Sequence, residues 1–166
     1  APIMDPIASS LARSPELYPQ ALAPGGLTVI RLLEAEYRAA SFLDARILTR
    51  QTLTRTIPWA AAEEAASRLA ENCSYIFHIG HVGSTLLSRL IGTAPQSLPV
   101  REPLILRTLA QSPQEYDRRA DVLLKLWSRS FAPDQRALIK ATSFVSEIAA
   151  KILARPSAPK AIFLTA

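Results

Sequence analysis

The sequence predicts an α/β fold: a largely parallel sheet flanked by helices and preceded by a helical N-terminal region. Two observations carry that expectation. From Ser74 onward, short apolar or β-branched runs alternate with longer segments of helical period, the order strand, helix, strand, helix. Before residue 70 the pattern differs. Pro2, Pro6, Pro15, Pro19 and Pro24 precede Gly25-Gly26 and oppose long regular structure. The chain therefore divides into residues 1–70, an irregular lead-in with helices packing on the core, and residues 71–166, the α/β domain proper.

In order along the chain, residues 1–26 read as irregular, with short helices at most. Leu27 to Leu43 reads as a helix, because Ile30, Leu33 and Tyr37 recur at spacings of three and four. Thr56 reads as an N-cap with Pro58 in the first turn, opening an Ala- and Glu-rich helix from Trp59 to Glu71. Ser74–Ile79 reads as a buried strand ending at Gly80. Ser84–Ile91 reads as a helix and Leu98–Arg101 as a short strand. Leu104–Gln111 and Gln114–Ser130 read as helices, the second with Ala120, Leu123, Leu124 and Trp127 on one face. Arg136–Ala141 reads as a strand and Ser143–Leu153 as a helix. Lys160–Thr165 reads as a final buried strand. Such a strand ordinarily feeds a further element, so the chain is expected to be part of a longer protein whose domain is incomplete at its C-terminus.

Composition narrows the function classes. At 166 residues and 49% hydrophobic, the chain is too apolar to be disordered and long enough for one core. One cysteine, Cys73, excludes an intrachain disulfide framework. Two histidines, His78 and His81, argue against a metal centre. No apolar run reaches the roughly 18 residues of a membrane span, so a membrane association is not expected. No secretory leader is visible, and a reduced, cytoplasmic setting follows. A net charge of +5 favours anionic partners. Arg101, Arg107, Arg118, Arg119 and Arg129 read as scattered, solvated charge without interleaved aromatics, which argues against nucleic acid.

The segment that carries chemistry is Gly80-His81-Val82-Gly83-Ser84-Thr85, between the strand at Ser74 and the helix at Ser84. Glycines there let backbone amides approach an anion, the helix start adds free N–H groups, and the hydroxyls of Ser84 and Thr85 add donors. The loop lacks the lysine of G-x-x-x-x-G-K-[ST] and is not G-x-G-x-x-G, so neither nucleotide hydrolysis nor a dinucleotide site is supported.

The stretch from Ile76 to Arg107 resembles the sulfotransferase branch of the P-loop proteins, whose loop reads Pro-Lys-Ser-Gly-Thr-Thr, or Arg-Ser-Gly-Thr-Thr in the tyrosylprotein type. The resemblance implies a P-loop NTPase-like three-layer α/β/α fold. It also implies that Gly80, His81, Val82, Gly83, Ser84 and Thr85 bind the 5′-phosphosulfate of 3′-phosphoadenosine 5′-phosphosulfate (PAPS), with no metal. His81 falls where the family has a basic residue. Glu102 matches the glutamate that serves the tyrosylprotein type as general base. Lys140, in Lys140-Ala141-Thr142, matches the strand-end lysine of cytosolic members, without their following histidine. Pro159–Leu164 resembles the strand leading to the family's 3′-phosphate arginine, with Thr165-Ala166 in its place. The implied activity is sulfuryl transfer to a small-molecule or peptide hydroxyl or amine, by a chain compatible with oligomer formation. Two other readings stand beside it: a kinase-like P-loop domain for another phosphorylated ligand, and a non-catalytic interaction domain.

Overall fold

The computed structural model describes Ile3, residues 5–80 and residues 83–165. Its centre is a four-stranded, all-parallel sheet built from β4 (Ser74–His78), β5 (Ser97–Arg101), β6 (Arg136–Lys140) and β7 (Ala161–Leu164), in the spatial order β5-β6-β4-β7. Between them run α4 (Ser84–Gly92), α5 (Leu104–Gln111), α6 (Pro113–Trp127) and, after a 3-10 turn at Ser143–Ile148, α7 (Ala149–Leu153). The α/β class and the parallel sheet flanked by helices thus hold.

Alternation along the strands sorts their side chains. Tyr75 and Phe77, Leu98 and Val100, and Ala137 and Ile139 enter the main core with Leu109, Leu123 and Trp127 of α5 and α6. On the other face, Leu138 and Ile162 line an apolar cleft with Ile91 of α4. With both faces covered, the strands read as short continuous apolar runs, which is why they were recognisable. Helix α6 starts where Ser112 Oγ accepts from the Glu115 N–H and Pro113 occupies the first turn.

The N-terminal region departs from the expected helices. It holds a three-stranded antiparallel sheet, β1 (Leu17–Ala23), β2 (Gly26–Arg31) and β3 (Thr54–Pro58), in that order, with α1 (Pro6–Arg13), α2 (Glu34–Ala39) and α3 (Trp59–Ala66) around it. The expected helix over Leu27–Leu43 is therefore a strand followed by a short helix. Ile30 and Tyr37, which suggested helical period, lie in different elements, and Leu27, Val29 and Ile30 are all buried. Pro19 is tolerated because β1 is an edge strand whose register shifts between Pro19 and Ala21. Thr56 is not a cap but part of β3, and α3 ends at Ala66 rather than Glu71. Asp5 caps α1, its Oδ1 accepting from Ile7 N at 2.7 Å and Ala8 N at 3.3 Å.

One apolar core runs through both sheets, from Leu11, Tyr18 and Ile57 to Tyr75 and Ile139. Gly26 shows how tightly the antiparallel sheet is drawn. A Cβ there would run into the Ile57 carbonyl of β3, a backbone atom that cannot swing aside. Gly26→Ala is expected to destabilise the fold by about 1–3 kcal/mol, the range for overpacking, read as a lower urea midpoint at unchanged slope.

Three further expectations are corrected. The final strand is not buried: β7 is an edge strand with Ile162 and Phe163 largely exposed. Arg101 and Arg129 are not solvated but 3% and 5% exposed. The segment Ser143–Leu153 is a 3-10 turn before a short α-helix. No helix among the described residues is long and apolar enough to cross a membrane.

Candidate functional site

In a parallel sheet, the loops leaving the carboxyl ends of the strands share one edge, the usual place for ligands in open α/β sheets. The candidate residues fall along that edge. Gly80 follows β4, an interior strand. Gly83 is the N-cap of α4, and Ser84 and Thr85 open that helix. Both glycines have positive φ, +64° and +82°. A Cβ at either would meet no described atom within 4 Å. Backbone conformation rather than space therefore calls for glycine. As the N-cap of α4, Gly83 has no side chain with which to accept from the first-turn N–H groups. His81 and Val82 lie outside the described residues.

His78, buried at the end of β4, was not singled out in the sequence. Its ring Nδ1 is 2.9 Å from the Gly80 carbonyl, so Nδ1 carries the proton and donates, tying the imidazole to the turn.

Glu102 and Lys140 end neighbouring strands, and the fold brings them together. Lys140 Nζ lies 3.3 Å from Glu102 Oε1, with the two residues only 2% and 8% exposed. The Glu102 N–H donates to the Lys140 carbonyl at 2.7 Å. Glu102 has φ +53°, a left-handed backbone that a residue with a Cβ adopts at a cost of about 1 kcal/mol or more. A strained, buried, ion-paired carboxylate at the carboxyl edge of the sheet is the feature that most distinguishes this site.

Two side chains from the N-terminal region complete it. The Leu43 N–H donates to the Arg101 carbonyl at 2.7 Å, and the Leu104 N–H to the Leu43 carbonyl at 3.3 Å. These bonds staple the segment after α2 to the end of β5. Arg46 follows, its guanidinium 3.9 Å from Glu102 Oε2 and 3.4 Å above the Phe42 ring. Asp44 holds Arg46 in place, with Nη2 at 2.6 Å from Oδ2 and Nε at 2.9 Å from Oδ1. That hydrogen bonding keeps the Asp44 carboxyl below its ordinary pKa, against the opposing effect of burial, and the charges of Arg46 and Arg107 add to it. Glu102 is thus bracketed by two cations, Lys140 on one oxygen and Arg46 beside the other. Sequence reasoning missed Asp44 and Arg46. Their Asp-x-Arg spacing permits the local pairing, but nothing local says that it faces Glu102.

Cys73, beside the start of β4, is a free, buried thiol with Sγ 3.1 Å from the Tyr75 hydroxyl. Burial pushes its pKa up, which makes it unreactive. Among the described residues, no group of three or more His, Cys, Asp or Glu is placed to hold a metal ion.

No family model, no curated protein and no solved structure matches this chain.

Proposed function

We propose that the chain is a sulfotransferase-like domain of the P-loop type, which binds PAPS at Gly80–Thr85 and moves its sulfuryl group to a hydroxyl or amine acceptor. The observation that carries this reading is the buried, strained Glu102 paired with Lys140 on the sheet edge that also bears the glycine turn. Two features make the loop residues suited to such a donor. The positive-φ glycines let the backbone turn tightly, and a helix start with a glycine cap suits N–H groups and the positive end of the helix dipole to a phosphosulfate. A three-layer P-loop architecture and a reducing, cytoplasmic setting belong to the same proposal. The buried free thiol of Cys73 is in keeping with that setting.

When bound, PAPS supplies the electrophilic sulfur and leaves as adenosine 3′,5′-bisphosphate (PAP). The protein's part is proton transfer and charge. Lys140 orients Glu102 through Oε1, which leaves Oε2, on the Arg46 side, to take the proton of the acceptor O–H or N–H as that atom attacks sulfur. Once Glu102 is protonated, its attraction for Lys140 falls. The Lys140 ammonium would add positive charge toward the oxygens on which negative charge develops. Arg46 adds positive charge at the same opening.

Calorimetric titration with PAP and ADP tests the reading. PAP is expected to bind, to raise the melting temperature, and to bind more tightly than ADP. Tighter binding of ADP would transfer the site to a kinase-like domain for another phosphorylated ligand. Neither heat nor a thermal shift with millimolar PAP would leave a non-catalytic domain.

A further inference from the structure

At the opposite end of α4 from the glycine turn, three guanidinium groups converge. Arg38, on α2, reaches across to the last turn of α4. Its Nη1 donates to the Gly92 carbonyl at 2.6 Å, and its Nη2 to Glu34 Oε1 at 2.8 Å. Arg101, at the end of β5, is 3% exposed and donates through Nη1 to the carbonyls of Arg38 and Ala40, at 2.9 and 3.0 Å. Its Nη2 lies where a Cβ on Gly92 would be 2.8 Å away, so the glycine makes room for the guanidinium. Arg89, exposed on α4, donates to Ser41 Oγ at 2.6 Å. With Ala39 and Thr93, these residues line an open cleft of about 500 Å³.

Helix capping explains part of this arrangement. Arg38 satisfies a carbonyl at the end of α4, and Arg101 satisfies two at the end of α2. It leaves the charge unexplained. Among the described residues, Glu34 is the only carboxylate paired with any of the three arginines. Arg101 Nε is buried without a hydrogen-bond partner. Burial, and then the charges of Arg89 and Arg38, lower the Arg101 pKa from its ordinary value. Buried positive charge facing positive charge is unfavourable unless an anion joins it.

We propose that the cleft between Arg38, Arg89 and Arg101 is an anion site separate from the glycine turn, which takes the phosphate group of a phosphate monoester. Two uncompensated guanidiniums match the charge of a phosphate monoester, about −1.5 to −2 at neutral pH. Planar guanidinium forks suit its oxygens in paired hydrogen bonds. The lining of short side chains, Ala39, Gly92 and Thr93, leaves room for the esterified group.

The test is calorimetry on the full chain at low ionic strength, with inorganic phosphate and with glycerol phosphate as probes and chloride as the control anion. Two variants accompany it: Arg89→Gln, an exposed change that keeps a donor for Ser41, and Gly83→Val at the turn. Phosphate is expected to bind the parent chain. Its affinity should fall about tenfold in Arg89→Gln, the worth of one charge-assisted hydrogen bond, whereas Gly83→Val, which disrupts anion binding at the turn, should leave the Arg89-dependent binding in place. Arg89→Gln should not lower the melting temperature in phosphate-free buffer, because it relieves repulsion on Arg101. Tighter binding of glycerol phosphate assigns the site to an organic ester, and equal binding to the free ion. Absence of phosphate binding, or binding lost in Gly83→Val and kept in Arg89→Gln, overturns the proposal.

Discussion

Replacing Arg129 by alanine is expected to be the most damaging single change to stability in this chain. Arg129 follows α6 and is only 5% exposed. Its Nε donates to the Leu126 carbonyl at 2.5 Å. Its Nη1 donates to the carbonyls of Leu11 and Ser14 at 2.7 and 2.6 Å, and its Nη2 to that of Leu17 at 2.9 Å. One side chain thus ties the end of α1, the connection after it and the start of β1 to the far side of the core. Burial brings its pKa down to about 10, still far enough above neutrality to keep the guanidinium charged. Truncation strands two buried carbonyls, those of Leu11 and Leu126, each worth about 1–3 kcal/mol once its partner is lost, and two part-buried ones, those of Ser14 and Leu17. The expected loss is therefore about 4 kcal/mol, a large share of the 5–15 kcal/mol typical of a domain. Urea unfolding followed by circular dichroism measures it. Arg129→Lys should recover only part, because a point charge cannot replace a fork that serves four carbonyls. A loss below about 1 kcal/mol for the alanine variant would show that α1 and β1 are held by their apolar contacts alone.

Glu102→Gln is expected to have the largest effect on activity. If Glu102 takes the acceptor proton, its loss should slow sulfuryl transfer about 10²–10⁴-fold, the usual contribution of a general base. PAP binding, which the proposed reading places at Gly80 and Gly83 rather than at Glu102, should stay close to that of the parent chain. The amide keeps an oxygen for Lys140, so the variant should remain folded, whereas Glu102→Leu would take away the carboxylate that faces a buried ammonium. PAP release from PAPS, measured across a panel of hydroxyl and amine acceptors, reads the first effect, and calorimetry reads the second. Transfer within a few-fold of the parent rate, with donor binding intact, would remove Glu102 from the proton-transfer role.

The elements that bear the candidate site were readable because each is specified locally. β4, β5 and β6 are short apolar runs, as expected of strands covered on both faces, and β4 ends in a glycine turn. Helix α6 is legible from Ala120, Leu123, Leu124 and Trp127 on one face, all of them buried. Gly83, Glu102 and Lys140 could be singled out one by one, since each stands at an element boundary where a parallel sheet collects its ligand-facing groups. The region before Ser74 departs from its sequence pattern for a physical reason. An antiparallel sheet is stabilised by partners distant in sequence, and a three-and-four spacing that runs from Ile30 to Tyr37 is accidental once β2 pairs with β1 and β3.

The sequence by itself determined the order of strands and helices after Ser74, the glycine turn, and the residue types at the carboxyl edge, because periodicity, caps and positive-φ glycines are local properties. Only the tertiary structure decided that Glu102 and Lys140 form one buried pair, and that Asp44 and Arg46 arrive beside them from the N-terminal region. It likewise decided that Arg101 and Arg129, indistinguishable in the sequence from surface arginines, are enclosed. Burial and charge pairing depend on which distant backbone carbonyls and side chains surround a group, and no local pattern specifies those neighbours.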